Sequence, residues 1–176
     1  MEREELGKLI YNLSLLKGEF LLKSGETSGF YFDKFKFLTD PILLKSIVEH
    51  MAQFLPLNTD LIAGPELGGA ILATALSLKT DIKSLIVRKE IKEHGTAKII
   101  EGQDVYGKTI CIAEDVVTTG STTIETTRKL RAAGAKVNTV ICIINRNPEF
   151  TAKALQNERV KIHSLFVLNE LGELQI

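Results

Sequence analysis

The residues whose types and spacing could do chemistry begin at 110–122, which read ICIAEDVVTTGST. Residues 109–113 are a short apolar run rich in β-branched side chains, the composition of a strand buried on both faces. Glu114 and Asp115 follow, then a small, hydroxyl-rich turn around Gly120. Thr122 and Glu125 have the spacing of a capping box, which predicts that a helix opens there. A strand–turn–helix junction aims several backbone N–H groups at one point, where the helix dipole also favours an anion. Two carboxylates beside such a cradle would repel a bare phosphate. The loop therefore suits a ligand with both phosphate and hydroxyl groups. In a ribose 5-phosphate, the phosphate would sit in the turn and the 2- and 3-hydroxyls would donate to Glu114 and Asp115. An ordinary βα loop with solvated acids would use the same residue types.

A second group, Arg88, Lys89, Lys92 and His94, places three fixed cations and one titratable ring within seven residues, partly offset by Glu90 and Glu93. It opens segment 88–107, which is punctuated by Gly95, Gly102 and Gly107. Connections longer than about 12–15 residues are uncommon in compact domains and are often active-site lids. Closing these cations over a diphosphate would stabilise the charge that develops as it leaves. His94 could donate a proton to it if it titrates near neutrality. The alternative is a solvated hairpin with residues 97–100 as one strand, and a hairpin can also be a lid.

Arg146 follows the apolar run 140–144 and so belongs at the mouth of a sheet. There a guanidinium fork would pair with a carboxylate in bidentate fashion, or would be a surface arginine at a strand end. Lys23 and the run Phe30-Tyr31-Phe32 could close the opposite side. Strand alternation puts Tyr31 and Phe32 on opposite faces, so that one could lie flat on a planar ring while the other serves the core. In GPELGG at 64–69, three glycines allow close backbone approach, as a diphosphate or simply a tight strand–helix turn requires. Neither GxGxxG nor GxxxxGK[ST] occurs, which disfavours a dinucleotide oxidoreductase and a P-loop kinase.

The elements that must position these groups can be read from periodicity and punctuation. Apolar spacing predicts a helix over 2–16 that Gly18 stops, then a β-hairpin over 19–37 around the 25–29 turn. Asp40 with Pro41 predicts a capped helix to about 54. From 59 onward strand and helix alternate: strands at 60–63, 84–87, 109–113, 137–144 and 161–167, helices at 70–78, 123–133 and 148–156. Repeated βα units imply an α/β fold with a central, mostly parallel sheet flanked by helices. Ligands of such sheets bind beyond the carboxyl ends of the strands, where 64–69, 88–107, 114–122 and the segment after 144 converge. The expectation is a single domain over 1–176, with N-terminal hood elements over 1–40 and a flexible lid loop over 88–107.

Twenty-two Lys and Arg balance twenty-two Asp and Glu, so no whole-protein field draws the chain to nucleic acid or a membrane. It has no apolar run long enough to span a bilayer, and its N-terminus lacks the apolar core of a signal peptide. Cys111 and Cys142 lie inside apolar runs and read as buried free thiols, which suits a reducing cytoplasm. The three histidines have no ligand-like spacing to them, so no metal site is expected on the protein.

Together these residues resemble the type I phosphoribosyltransferases, and within that group the orotate phosphoribosyltransferase family. EDVVTTGST at 114–122 is similar to the group's hallmark. LLKSGETSGFYFD at 21–33, RKEIKEHG at 88–95 and INR at 144–146 are similar to that family's hairpin, lid and orotate-binding strand end. The resemblance implies a type I phosphoribosyltransferase fold and the reaction of orotate with 5-phospho-α-D-ribose 1-diphosphate (PRPP) to give orotidine 5-monophosphate and diphosphate, a pyrimidine-biosynthesis step. It implies that Glu114 and Asp115 hold the ribose hydroxyls and that Val116, Val117, Thr118, Thr119, Gly120, Ser121 and Thr122 hold the 5-phosphate. Arg88, Lys89, Lys92 and His94 would contact the diphosphate, some of them across a homodimer interface. Lys92, His94, Glu114 and Asp115 would carry catalysis. Thr118, Arg146 and Lys23, with Tyr31 or Phe32, would contact orotate, and Mg2+ would ride mainly on PRPP. Longer relatives carry Tyr-Lys where this chain has Leu67 and Gly68, which leaves the first diphosphate turn to backbone N–H groups. Transfer to another base, or a non-catalytic PRPP-sensing regulator that binds nucleic acid, are the alternatives; Arg146 and the balanced charge argue against them.

Overall fold

The computed structural model describes residues 1–21, 25, 27–90 and 98–173. Lys23, Lys92 and His94 lie outside them. In chain order the elements are α1 (Arg3–Ser14), β1 (Leu15–Leu21), β2 (Thr27–Phe32), α2 (Phe35–Leu38), α3 (Pro41–Met51), β3 (Leu61–Pro65), α4 (Gly68–Thr80), β4 (Ser84–Val87), β5 (Ile100–Glu101), β6 (Thr109–Val117), α5 (Ser121–Ala132), β7 (Lys136–Asn145), α6 (Pro148–Gln156), β8 (Lys161–Val167) and α7 (Leu168–Glu173). β1 and β2 form an antiparallel hairpin; the others form one sheet in the order β5-β4-β3-β6-β7-β8, parallel except for β5.

Strand alternation divides the sheet's side chains between two cores. On β6, Ile110 and Ile112 face a cluster with Leu130 of α5, Leu155 of α6, Val137 and Val140. Cys111 and Ala113 face the opposite cluster, with Ile47 of α3, Leu72 and Leu76 of α4, Ile141 and Ile143. That second core also takes Leu6 and Ile10 of α1 and Phe37 and Leu38 beside the hairpin, so the hood elements are packed into it. α3 begins as its residues dictate: Asp40 Oδ1 accepts from the N–H groups of Ile42 and Leu43 at 2.9 Å, with Pro41 at the first position. Both cysteines are free and buried, and burial pushes the Cys111 thiol up to about 12 and Cys142 well above its ordinary range. No helix among the described residues is long and apolar enough to cross a membrane.

Two details differ from the sequence expectation, and one open alternative gains support. The first helix ends at Ser14, before Gly18, because Leu15 already pairs with Phe32 and the Asp33 N–H donates to Ser14 O at 2.8 Å. The 122/125 capping box does not form: α5 starts two residues earlier than 123, at Ser121, with Gly120 as N-cap in the left-handed region (φ +79°), and Glu125 pairs with Lys129 at 2.5 Å. The hairpin alternative for 88–107 is supported at residues 99–101, which run back along the sheet edge: Val87 pairs with Ile100 and the Arg88 N–H donates to Ile99 O at 2.8 Å.

The β3–α4 turn packs backbone against backbone: a Cβ on Gly64 would lie 2.2 Å from Gly69 O. Both sides are backbone and neither can yield. Gly64→Ala is expected to lose about 1–3 kcal/mol, measured by denaturant unfolding. Gly29→Ala, where a Cβ meets nothing within 4 Å, is expected to stay within about 0.5 kcal/mol.

Candidate active site

β3 and β6 are neighbours, pairing from Leu61↔Ile110 to Ala63↔Ile112. After β3 the chain moves to one side of the sheet, to β4, and after β6 to the other, to β7. Their carboxyl ends therefore border the crevice where the winding direction reverses, the place where open α/β sheets bind ligands. β6 does not stop at 113. It stays paired with β7 through Glu114↔Cys142, Val116↔Ile144 and Val117↔Asn145. Glu114 and Asp115 are thus strand residues, 5% and 2% exposed, and the reading of solvated loop acids is excluded.

The start of α4 comes in over these acids. A Cβ on Gly68 would sit 1.6 Å from Asp115 Oδ2, so no larger residue fits there while Asp115 keeps its place. Leu67, by contrast, is exposed. Asp115 Oδ1 accepts from the Val116 N–H at 2.6 Å, and Oδ2 is 2.6 Å from Lys34 Nζ, at the turn between β2 and α2. Lys34 was not singled out in the sequence: it sits in a run of mixed aromatics and lysines with no motif to mark it. Glu114 Oε1 accepts from Thr123 Oγ1 at 3.3 Å. Burial, and then the charge of Asp115, push the Glu114 carboxyl up to about 8, against the pull of Lys34 and Thr123.

Beyond the acids, Val116 to Thr123 and Glu114 line a cavity of about 320 Å³. Thr119 Oγ1 and Ser121 Oγ are 3.0 Å apart at its rim, and Thr118, Thr119, Ser121 and Thr122 are exposed to it. The first amides of α5 have no intrahelical acceptor, so this loop presents N–H and hydroxyl donors to one anion.

A second cavity, of about 190 Å³, shares Val116 and Thr118 with the first. It is lined by Tyr31, Phe32, Lys34, Ile144, Arg146 and Leu168 as well. This is below the ~300 Å³ at which pockets for larger ligands begin, and suits one small ring. Phe32 packs on the buried Phe37 (ring centroids 6.3 Å apart) and Tyr31 on Phe20 (5.6 Å), so both aromatics border the cavity while each is braced from behind. Arg146 is aimed by a built turn. Its N–H donates to Val117 O at 2.8 Å; buried Asn145 Oδ1 accepts from the Asn147 N–H at 3.2 Å; Asn147 caps α6 through the Phe150 N–H at 3.3 Å. Asn145 and Asn147 were not picked out from the sequence, although N-x-N-P is a helix-start signal.

The root of the basic segment is tied to both sides of the crevice. Glu66 Oε1 accepts from the Lys89 N–H at 2.7 Å. Lys129, on α5, donates to Arg88 O at 3.0 Å and Lys89 O at 2.8 Å. Arg88 and Lys89 are therefore tied by their backbones to the β3–α4 turn and to the helix that follows the hydroxyl-rich loop. The arrangement brings together a donor-rich loop, two buried acids, a root of two cations and a small aromatic-lined pocket that Lys34 and Arg146 also line. Among the described residues no group of three or more His, Cys, Asp or Glu could cage a metal ion.

Residues 40–165 match the phosphoribosyl transferase domain family. The chain is 48% identical over 133 residues to the orotate phosphoribosyltransferase of a Nocardioides species, covering 76% of this chain and 74% of that protein. It is 39% identical to that of Pyrococcus abyssi, covering 97% and 96%. Among solved structures, it resembles orotate phosphoribosyltransferase of Mycobacterium tuberculosis H37Rv in complex with Fe(III) dicitrate (28% identity, TM-score 0.86, covering 97% and 98%). It also resembles the same enzyme in complex with PRPP (25% identity, TM-score 0.82, covering 97% and 98%).

Two outcomes follow from the geometry. Between its ordinary 4.5 and about 8, Glu114 keeps in the folded chain a proton that the unfolded chain has lost, so its contribution to stability falls as pH rises through that window. Glu114→Gln, shaped like the protonated acid, should remove that loss. The variant should melt above the parent at pH 8 and close to it at pH 4.5, with a gain approaching about 1.4 kcal/mol per pH unit crossed. Lys129→Met should free the segment's root, and hydrogen exchange should then read an amide of Lys89 opening about tenfold faster with the global melting temperature little changed.

Proposed function

The chain belongs to the phosphoribosyl transferase family, as an orotate phosphoribosyltransferase, and from that premise we propose how its residues divide the work. The observation that carries the proposal is the junction of two cavities at Val116 and Thr118: an anion loop with buried acids on one side, a one-ring pocket bounded by Arg146 and Lys34 on the other.

The 5-phosphate of PRPP lies in the loop of Val116, Val117, Thr118, Thr119, Gly120, Ser121 and Thr122, on the amides that open α5. The ribose 2- and 3-hydroxyls donate to Glu114 and Asp115. The diphosphate lies toward the β3–α4 turn and the basic root, near Arg88 and Lys89, with Lys92 and His94 closing over it. Orotate stacks against Tyr31 or Phe32, with its carboxylate on Arg146, and with Thr118 and Lys23 as further contacts. As the bond from the anomeric carbon to diphosphate lengthens, positive charge builds on the sugar; the buried carboxylates favour it and the basic root favours the leaving charge. Orotate N1 bonds to the same carbon from the opposite face and gives up its proton, which leaves with the diphosphate or to water. Closure of 88–107 keeps water from taking its place.

Magnesium, when bound, neutralises diphosphate charge. Glu114 and Asp115 would offer it hard oxygen donors at the ribose, and the ion would ride mainly on PRPP. We further propose that the protein works in the cytoplasm, in keeping with two unpaired buried thiols. A homodimer in which the lid serves the neighbouring site completes the proposal.

The test is one assay with magnesium and PRPP, comparing orotate, uracil, adenine and hypoxanthine. Loss of orotate absorbance with no reaction of the other bases is the expected result. Turnover of a purine would reassign the acceptor, and no turnover with any base would favour a PRPP-sensing regulator.

A further inference from the structure

The pocket on the aromatic side carries a feature that the phosphoribosyl-transfer reading leaves unused: its second cation. Lys34 Nζ lies 2.6 Å from Asp115 Oδ2, yet the two ends of this pair are in different surroundings. The Asp115 side chain is 3% exposed and that of Lys34 is 36% exposed. The lysine thus covers the acid and also lines the cavity with Tyr31, Phe32 and Arg146, its Nζ 5.6 Å from the Phe35 ring centroid. The pair is a charge contact without hydrogen-bond geometry, since Asp115 Oδ2 has no hydrogen-bond partner among the described residues, and an ammonium carries three donors.

The charge balance says what these donors are for. An anionic planar base entering this cavity meets the neighbourhood of Asp115, the buried carboxylate that Lys34 is paired with. In a poorly screened site like charges at this range repel strongly. Arg146 lines the cavity and attracts the anion; Lys34, lining the same cavity, is the cation that is also paired with Asp115. We propose that Lys34 is a further acceptor-binding cation: it shares its charge between Asp115 and the anionic edge of the base, so that this edge meets an ammonium where it would otherwise meet a bare carboxylate.

The inference rests on the orotate reading, and one set of kinetics separates the two. Wild-type turnover of orotate tests the reading itself. K34M is then expected to raise the KM for orotate about tenfold or more while that for PRPP moves less than about threefold, the size of effect of one lost charged hydrogen bond. K34R should recover most of the loss. K34Q, which keeps a hydrogen-bond donor for Asp115 without the charge, should resemble K34M, and it serves the same measurement if K34M melts below the assay temperature. If wild type turns over orotate but both neutral variants keep its KM, or raise the two KM values together, Lys34 is only a counterion of Asp115 and the inference falls.

Discussion

Two carboxylates held side by side in the interior, at the end of a central strand, set the terms for everything around them. Burying a carboxylate is costly unless it is paired, hydrogen-bonded or protonated, and the structure uses all three devices. Asp115 has its own chain's next amide and Lys34; Glu114 has Thr123 and a raised proton affinity. The side chains that answer these acids come from the hood, from β6 and from α5. Holding the pair therefore ties three regions of the sequence into one site.

Space is the second constraint. The acids are buried because α4 begins directly above them, and it can do so only with glycine at 64 and 68. The same turn leaves no side chain at 68 and braces the basic root through Glu66, while Lys129 of α5 braces it from the other side. α5 thus contributes its first turn to the loop after β6 and its last turn to the start of segment 88–107.

Much of this was legible in the chain itself. The alternation of βα units, the Asp40-Pro41 helix start and the sequence EDVVTTGST are local signals, written in consecutive residues, and the corresponding elements are where they were expected. The misreadings lie at boundaries decided by a partner. β6 runs four residues further than its apolar composition because β7 continues to pair with it; α1 stops early because its end joins the hairpin. Lys34 and Lys129 carried no sequence signal, since a lysine acquires its role from what it meets.

What the sequence by itself determined is the fold class, the strand–loop–helix that follows residue 109, and the presence of two adjacent acids and one cluster of cations. Those depend on periodicity and on short-range chemistry, which act between near neighbours. Tertiary structure alone decided that the acids are buried, that one of them is paired with a lysine of the hood, and that the two cavities meet at Val116 and Thr118. Burial, charge pairing and cavity shape are set by residues far apart in the chain, and no local pattern records which of them will meet.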